Sequence, residues 1–327
     1  MIRNQHAGKL KSGGLSLNIL NNDELEQIHS ATLEVLFRTG IFVEDEEALE
    51  IFHGAGARVD KKTKVVKLPA HLVEDAIRWA PSSFVACGRS PENDVVLGSN
   101  RVTFTNFGEG IVIKDIHTGE LRETTKKDAR EAARLIDALD NIDTYERAVL
   151  SHDVPHEVCA LHNAEASLTN TAKHHWIGPM NGYCLDKIVE MGAAIAGGYK
   201  ALKARPLITF NTCPVSPLKL VRDCCEIIMG SAKNGMAVNI LSMGMAGGST
   251  PVYTAGTLVV HNAELLSGLV LSKLTQKGTP VVYGSSTTAM DLRMAAASVG
   301  TPECAVINAA VARLARYYAL PSFVAGG

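Results

Sequence analysis

Apolar positions recur at helical spacing in the first part of the chain and in a strand–helix alternation after it. Residues 1–20 are polar and glycine-containing and read as a loose arm. Asn21 followed by Glu24 predicts a capping box that opens a helix near residue 22. Leu25, Ile28, Leu33 and Leu36 continue its apolar face, and Gly40 stops it. A second helix is expected over 46–53, ending at Gly54-Ala55-Gly56. Residues 58–68 alternate as a strand does, with a lysine-rich turn. Pro69 then opens a third helix, where the missing N–H costs nothing. These elements form an expected N-terminal α+β extension over 21–98.

From residue 101 short apolar segments alternate with longer amphipathic ones. Strands are predicted at 102–107, 145–150, 175–178, 207–213, 237–242, 280–284 and 321–325. Helices are predicted between them, at 126–139, 157–169, 184–196, 220–234, 255–276 and 302–318. The last is well marked: Thr301 caps it, Pro302 suits its first position, and Cys304, Ile307, Val311, Leu314 and Tyr318 make an apolar stripe. A repeating βα pattern means a parallel sheet. No G-x-G-x-x-G follows the first strand, which disfavours a dinucleotide fold. The repetition favours an α/β TIM (β/α)8 barrel over 99–327. Seven units can be counted where eight are needed, so the barrel is expected to be C-terminally incomplete, with further chain after residue 327. A seven-stranded barrel would leave two unpaired edges.

Composition narrows the function classes. The chain has 327 residues, 46% of them hydrophobic and 20% charged, with a net charge of −2. No Lys/Arg run is long enough to follow a phosphate backbone, so nucleic acid is not expected as a partner. The most apolar stretch, 258–274, is interrupted by His261, Asn262, Glu264 and Ser267, which argues against a membrane span. The first residues lack the apolar core of a secretory signal. Seven cysteines stand without C-x-x-C spacing, the usage of a reduced cytoplasmic protein.

Small polar residues and glycines cluster directly after the predicted strands, at 106–110, 178–183, 211–214, 242–248 and 283–287. In a barrel these loops share the C-terminal face, where active sites form. Each loop taken singly is also the composition of any turn. Glu109, set among glycines, is a candidate to hold a cation or move a proton. Glu303 is a second candidate, although an acid in a first helical turn also favours the helix dipole. Phe107, Asn181, Tyr183, Asn211, Met243, Tyr283 and Ser285 are candidates to line a substrate site. The aromatic members of that set fit amine recognition, and equally fit sealing the top of a core. No metal site is expected: His152 and His156 lack the glutamate of H-E-x-x-H. Neither a G-x-S-x-G elbow nor a phosphate loop occurs. A Schiff-base lyase is the rival enzyme class, with Lys114 and Lys173 the nearest candidate amines. A binding scaffold or inactive fragment is the non-enzymatic alternative.

Several segments then carry a family resemblance. Near the start are Thr39-Gly40-Ile41-Phe42-Val43, Gly56-Ala57-Arg58-Val59-Asp60 and Leu68-Pro69. The middle has Asp115-Ile116-His117-Thr118-Gly119, Asn141-Ile142-Asp143 and Asp153-Val154-Pro155. The end has Asn262-Ala263-Glu264, Gly278-Thr279-Pro280-Val281-Val282-Tyr283-Gly284, Gly300-Thr301-Pro302-Glu303 and Tyr317-Tyr318-Ala319-Leu320-Pro321. In this order and spacing they resemble the trimethylamine:corrinoid methyltransferase family along the whole chain. The resemblance implies a TIM barrel, a methylated amine as substrate, and transfer of its methyl group to cob(I)alamin on a cognate corrinoid protein. It implies no cofactor held by this chain itself and a role in methanogenesis or methylamine catabolism. The exposed edges and barrel helices lead to the expectation of a homo-oligomer at full length. Some members carry pyrrolysine, whose imine takes up the amine, directly after a segment like Pro321-Ser322-Phe323-Val324-Ala325-Gly326-Gly327. Pyrrolysine is therefore expected at position 328, from a UAG codon read as a stop. A pyrrolysine-free branch of the family acts on quaternary amines such as glycine betaine.

Overall fold

The helix Asn22–Arg38 opens on the expected capping box: Asn21 Oδ1 accepts from Glu24 N at 2.9 Å, and Glu24 Oε2 accepts from Asn21 N at 2.8 Å. The computed structural model describes residues 18–99 and 101–325. The expected arm over 1–20 lies outside the described residues except for its last three. The described chain forms two compact units, one of residues 84–211 and one of residues 18–83 together with 212–325.

In the second unit the strand Ile41–Val43 pairs antiparallel with Val65–Lys67, and that strand pairs with Arg58–Asp60 across the lysine-rich turn. The single strand expected over 58–68 is therefore a hairpin. Asp60 Oδ1 accepts from the N–H groups of Lys62 and Thr63 and so breaks the strand. The helix Glu46–Gly54 is capped by Asp45, and Pro69 precedes the helix Ala70–Trp79. Three parallel strands follow in spatial order, Ala237–Ser242, Val281–Ser285 and Ser322–Val324. The first two are buried along their whole length, as strands covered on both faces must be.

The helix Thr254–Thr275 is the core of this unit. By length and composition it could cross a membrane, but 72% of its most apolar window is buried inside the protein. It packs on the helices Asn22–Arg38, Ala70–Trp79 and Arg222–Asn234 and on the strand Ala237–Ser242. Gly268 permits the close approach: a Cβ there would lie 2.8 Å from Ile240 Cδ1. The polar residues that interrupt its sequence each find a partner, although His261 Nε2 has none among the described residues. Glu264 accepts from Ser216 Oγ, Ser242 Oγ and Leu218 N at 2.7–2.9 Å. Asn262 accepts from Tyr283 Oη at 2.7 Å and donates to Tyr318 Oη at 2.8 Å and Thr32 Oγ1 at 3.0 Å. His261 Nδ1 meets Thr287 Oγ1 at 2.9 Å. Buried polar groups persist in a core when they are bonded in this way.

In the first unit the strands Thr144–Glu146, His174–Ile177 and Ile208–Thr212 run parallel in that order. Helices Lys126–Ala138, Cys159–Leu168, Gly182–Ala196 and Tyr199–Ala204 connect and cover them. Six of the seven expected parallel strands are thus present within a residue or two at their starts. The chain is a mixed α/β protein built on repeating parallel β/α units.

The strand expected at 102–107 is absent. Val102 and Phe104 alternate in sequence, but both are 62% exposed, so the alternation has no core face to bury. The segment is attached by Phe104 O, which accepts from Asp143 N at 2.8 Å and Thr144 N at 3.3 Å, and by side chains. Asn106 donates through Nδ2 to Glu146 O at 2.8 Å and accepts through Oδ1 from Glu146 N at 3.0 Å, replacing a backbone neighbour. Asp143 Oδ2 accepts from Phe104 N at 2.8 Å. Past Glu146 the expected strand 145–150 does not continue; residues 147–150 pair with 109–110. An antiparallel hairpin, Val112–Lys114 with Leu121–Glu123, follows and was not anticipated.

Candidate active site

Glu146 ends the strand Thr144–Glu146, and Arg147 follows it. The segment Gly108-Glu109-Gly110 lies against them, with Glu109 N donating to Arg147 O at 2.8 Å and Gly110 N to Ala148 O at 2.9 Å. This pairing holds Glu109 in the left-handed region, at φ 68°, which is unusual for a residue other than glycine. Its carboxylate forms an ion pair with Arg147 Nη2. Arg147 Nη1 donates to Gly178 O at 3.1 Å, at the end of the next strand. Asn211, near the end of the third, donates through Nδ2 to Glu146 Oε1 at 3.2 Å.

The result is a compact polar cluster at the C-terminal ends of three parallel strands: two carboxylates, one guanidinium and one carboxamide. Burial, and then the nearby charge of Glu109, push the Glu146 carboxyl up to about 7, while Arg147 opposes the rise. A carboxyl that titrates near neutrality can accept a proton or hold a cation in its ionised form. Gly108 leaves room for it. A Cβ on Gly108 would stand 2.8 Å from Glu146 Cδ and 3.0 Å from its Oε1, so the carboxylate would have to move. Gly108→Ala is therefore expected to displace the Glu146 carboxylate and weaken binding of a small cation at the cluster severalfold, with less than about 1 kcal/mol of lost stability, since only the end of one side chain moves. Calorimetric titration alongside urea unfolding checks both halves.

Of the residues singled out in the sequence, Glu109 and Asn211 meet in this cluster. Glu146 and Arg147 were missed. Their only sequence signal is a consecutive acid–base pair directly after Thr144-Tyr145. Phe107 is 76% exposed beside the cluster's segment. Asn181 caps the helix Gly182–Ala196, its Oδ1 accepting from Cys184 N at 2.9 Å. Tyr183 is exposed in the first turn of that helix, with Lys187 Nζ 5.9 Å from its ring centroid.

In the second unit Met243 is exposed after the strand Ala237–Ser242, and Glu303 is exposed in the first turn of the helix Pro302–Tyr317. Tyr283 corrects the expectation of a ligand-lining ring. It is fully buried with its hydroxyl bonded to Asn262, because alternation along the strand turns it onto the core helix. Ser285 is fully buried too, and its Oγ accepts from Thr287 N at 3.1 Å, which shapes the turn.

The Schiff-base candidates fare no better. Lys114 lies in the exposed hairpin. Lys173 is buried ahead of the strand His174–Ile177, and its Nζ donates to the carbonyls of Ile136, Leu139 and Ile142, away from the strand ends where a substrate carbonyl would sit. Among the described residues no group of three or more His, Cys, Asp or Glu is placed to hold a metal ion.

A sequence model of the family described as Trimethylamine methyltransferase (MTTB) matches residues 2–327. The chain belongs to the trimethylamine methyltransferase family. It is 51% identical over 321 residues to the trimethylamine methyltransferase MttB of Desulfitobacterium hafniense (strain DSM 10664 / DCB-2), covering 98% of this chain and 65% of that protein. With MttB of Methanosarcina thermophila the identity is 43% over 329 residues, covering 99% of this chain and 68% of the relative. A glycine betaine methyltransferase of Desulfitobacterium hafniense (strain Y51) is 34% identical, with 95% and 64% covered. The chain thus spans about two thirds of the length of these curated relatives. Among solved structures it resembles the hydroxylamine complex of MtmB, with a TM-score of 0.59 at 14% identity over 96% of this chain and 63% of that one. The monomethylamine methyltransferase MtmB of Methanosarcina barkeri gives 0.58, also at 14%, over 93% and 61%. At that identity the likeness concerns the fold alone.

Proposed function

We propose that this chain belongs to a cytoplasmic enzyme that transfers a methyl group from trimethylamine to cob(I)alamin on a cognate corrinoid protein, on a (β/α)8 barrel frame. The observation that carries the reading is Glu146: a carboxyl titrating near neutrality, bonded by Asn211 at the strand ends, in a chain 51% identical to a named trimethylamine methyltransferase.

Methyl transfer leaves the N–C electron pair on nitrogen. The nitrogen must therefore be tetravalent and positive before the bond breaks. The corrinoid is the methyl acceptor, arriving as a co-substrate on its carrier. In this reading the chain's own residues hold the ammonium. The ionised Glu146 supplies the countercharge, Asn211 fixes the carboxylate plane, and Gly108 and Gly178 leave the approach open. Dimethylamine leaves with its nitrogen lone pair restored, and the methyl group stays on cobalt.

The test is methyl transfer by the protein with its corrinoid protein in the cob(I)alamin state, followed by the visible spectrum of cobalt. Methylation with trimethylamine, absent with glycine betaine, is expected. Methylation with glycine betaine but not with trimethylamine would overturn the substrate, and no methylation with any methylated amine would overturn the reaction.

A further inference from the structure

We infer that Glu109 sets the substrate class of this site by occupying Arg147, so that the site accepts a methylated amine and rejects an amine that also carries a carboxylate. The inference rests on the reading of the cluster as an amine site.

The guanidinium is the group to explain. A site for a simple ammonium needs a carboxylate, which Glu146 provides; a buried cation beside it works against binding. Arg147 is nonetheless at that position, with its side chain 13% exposed. Two of its three nitrogens are taken, Nη2 by Glu109 and Nη1 by Gly178 O. Its Nε is buried without an acceptor among the described residues. Guanidinium is the side chain best matched to a carboxylate, through two parallel N–H···O bonds. Glu109 is a carboxylate supplied by the protein itself. It reaches Arg147 from a loop, is 56% exposed, and meets the guanidinium from the solvent side. Opposite the pair there is no side chain: the position of a Cβ on Gly178 lies 3.6 Å from both Arg147 Nη2 and Glu109 Oε1.

A betaine carries an ammonium and a carboxylate a few bonds apart. It would require Glu146 for the first and Arg147 for the second. With Glu109 in place the guanidinium is neutralised and a second carboxylate meets like charge. A trimethylammonium ion meets no such obstacle. Removing Glu109 uncovers a cation beside an anion, the complement of a zwitterion.

Calorimetric titration of the protein with trimethylammonium chloride and with glycine betaine tests this. The wild type is expected to bind trimethylammonium more tightly. In Glu109→Ala the ratio of betaine to trimethylammonium affinity should rise about tenfold or more, the scale of one charge-assisted hydrogen bond. Glu109→Gln, which keeps the side chain's size, should move the ratio in the same direction. Adding Arg147→Gln to Glu109→Ala should cancel the gain. A wild type that prefers trimethylammonium while both Glu109 variants leave the ratio unchanged would overturn the inference and spare the amine site. A gain that survives Arg147→Gln would also overturn it. Binding of neither ligand by the wild type would overturn both.

Discussion

Glu146→Gln is expected to make the protein more stable at about pH 8 and, on the function proposed above, to weaken binding of trimethylammonium by about 30-fold or more. Both effects come from one part-buried carboxyl, pushed up to about 7 from an ordinary value of 4.5 by burial and by the nearby Glu109. A raised value in the folded state means that folding favours the protonated form. The stabilising contribution of Glu146 is therefore complete below about pH 4.5 and is lost as pH rises through about 7. At about pH 8 the ionised group should cost roughly 3 kcal/mol relative to the neutral one. Glutamine keeps the shape without the charge. Urea unfolding across pH should show a fall in wild-type stability between about 4.5 and 7 that the variant lacks. Binding should run the opposite way, with wild-type affinity for the cation rising through the same range and the variant's staying flat and low. A wild-type stability that does not fall over this interval would mean that Glu146 is ionised at no cost, and its assignment as the ammonium holder would lose its basis.

The second large effect lies away from the site. Lys173→Met is expected to cost about 2–4 kcal/mol of stability, because the carbonyls of Ile136, Leu139 and Ile142 all lose the ammonium, and only Ile136 O and Leu139 O keep a backbone donor, from Leu139 N and Ile142 N at 3.2 Å. These carbonyls terminate the helix Lys126–Ala138 and the turn after it, where a helix presents unpaired acceptors and the negative end of its dipole. A buried ammonium satisfies three at once, and methionine satisfies none. Amine affinity should not change, since Lys173 precedes the strand His174–Ile177 while the cluster lies past the strand ends. Urea unfolding and calorimetric titration of the same sample decide it. A loss below about 1 kcal/mol would show that the carbonyls find other donors, and a change in affinity would place Lys173 at the site after all.

The elements legible in the sequence are those whose evidence is local. The capping box of Asn21 and Glu24, the Pro302 start with its Thr301 cap, and the continuous apolar run Ala237–Ser242 are each written within a few residues. The strand expected at 102–107 failed because alternation reports a buried face only where a neighbour exists to cover it. Here Asn106 makes the connection to Glu146 through its side chain. Tyr283 failed for a related reason. Proximity to a strand end does not say which side of the sheet a side chain takes, and Asn262 on the core helix binds it from within.

The sequence by itself determined the class of the protein: repeating parallel β/α units, glycine-rich strand ends, and membership of a methyltransferase family. Those properties rest on periodicity, capping and segment order, all carried by neighbouring residues. The tertiary structure alone decided the chemistry of the candidate site. Glu109, the adjacent Glu146 and Arg147, Gly178 and Asn211 come from four separate segments of the chain. The neutral titration of Glu146 exists only because folding buries it and sets a second carboxylate nearby. Desolvation and Coulomb interaction depend on distance in space, which no spacing along the chain records.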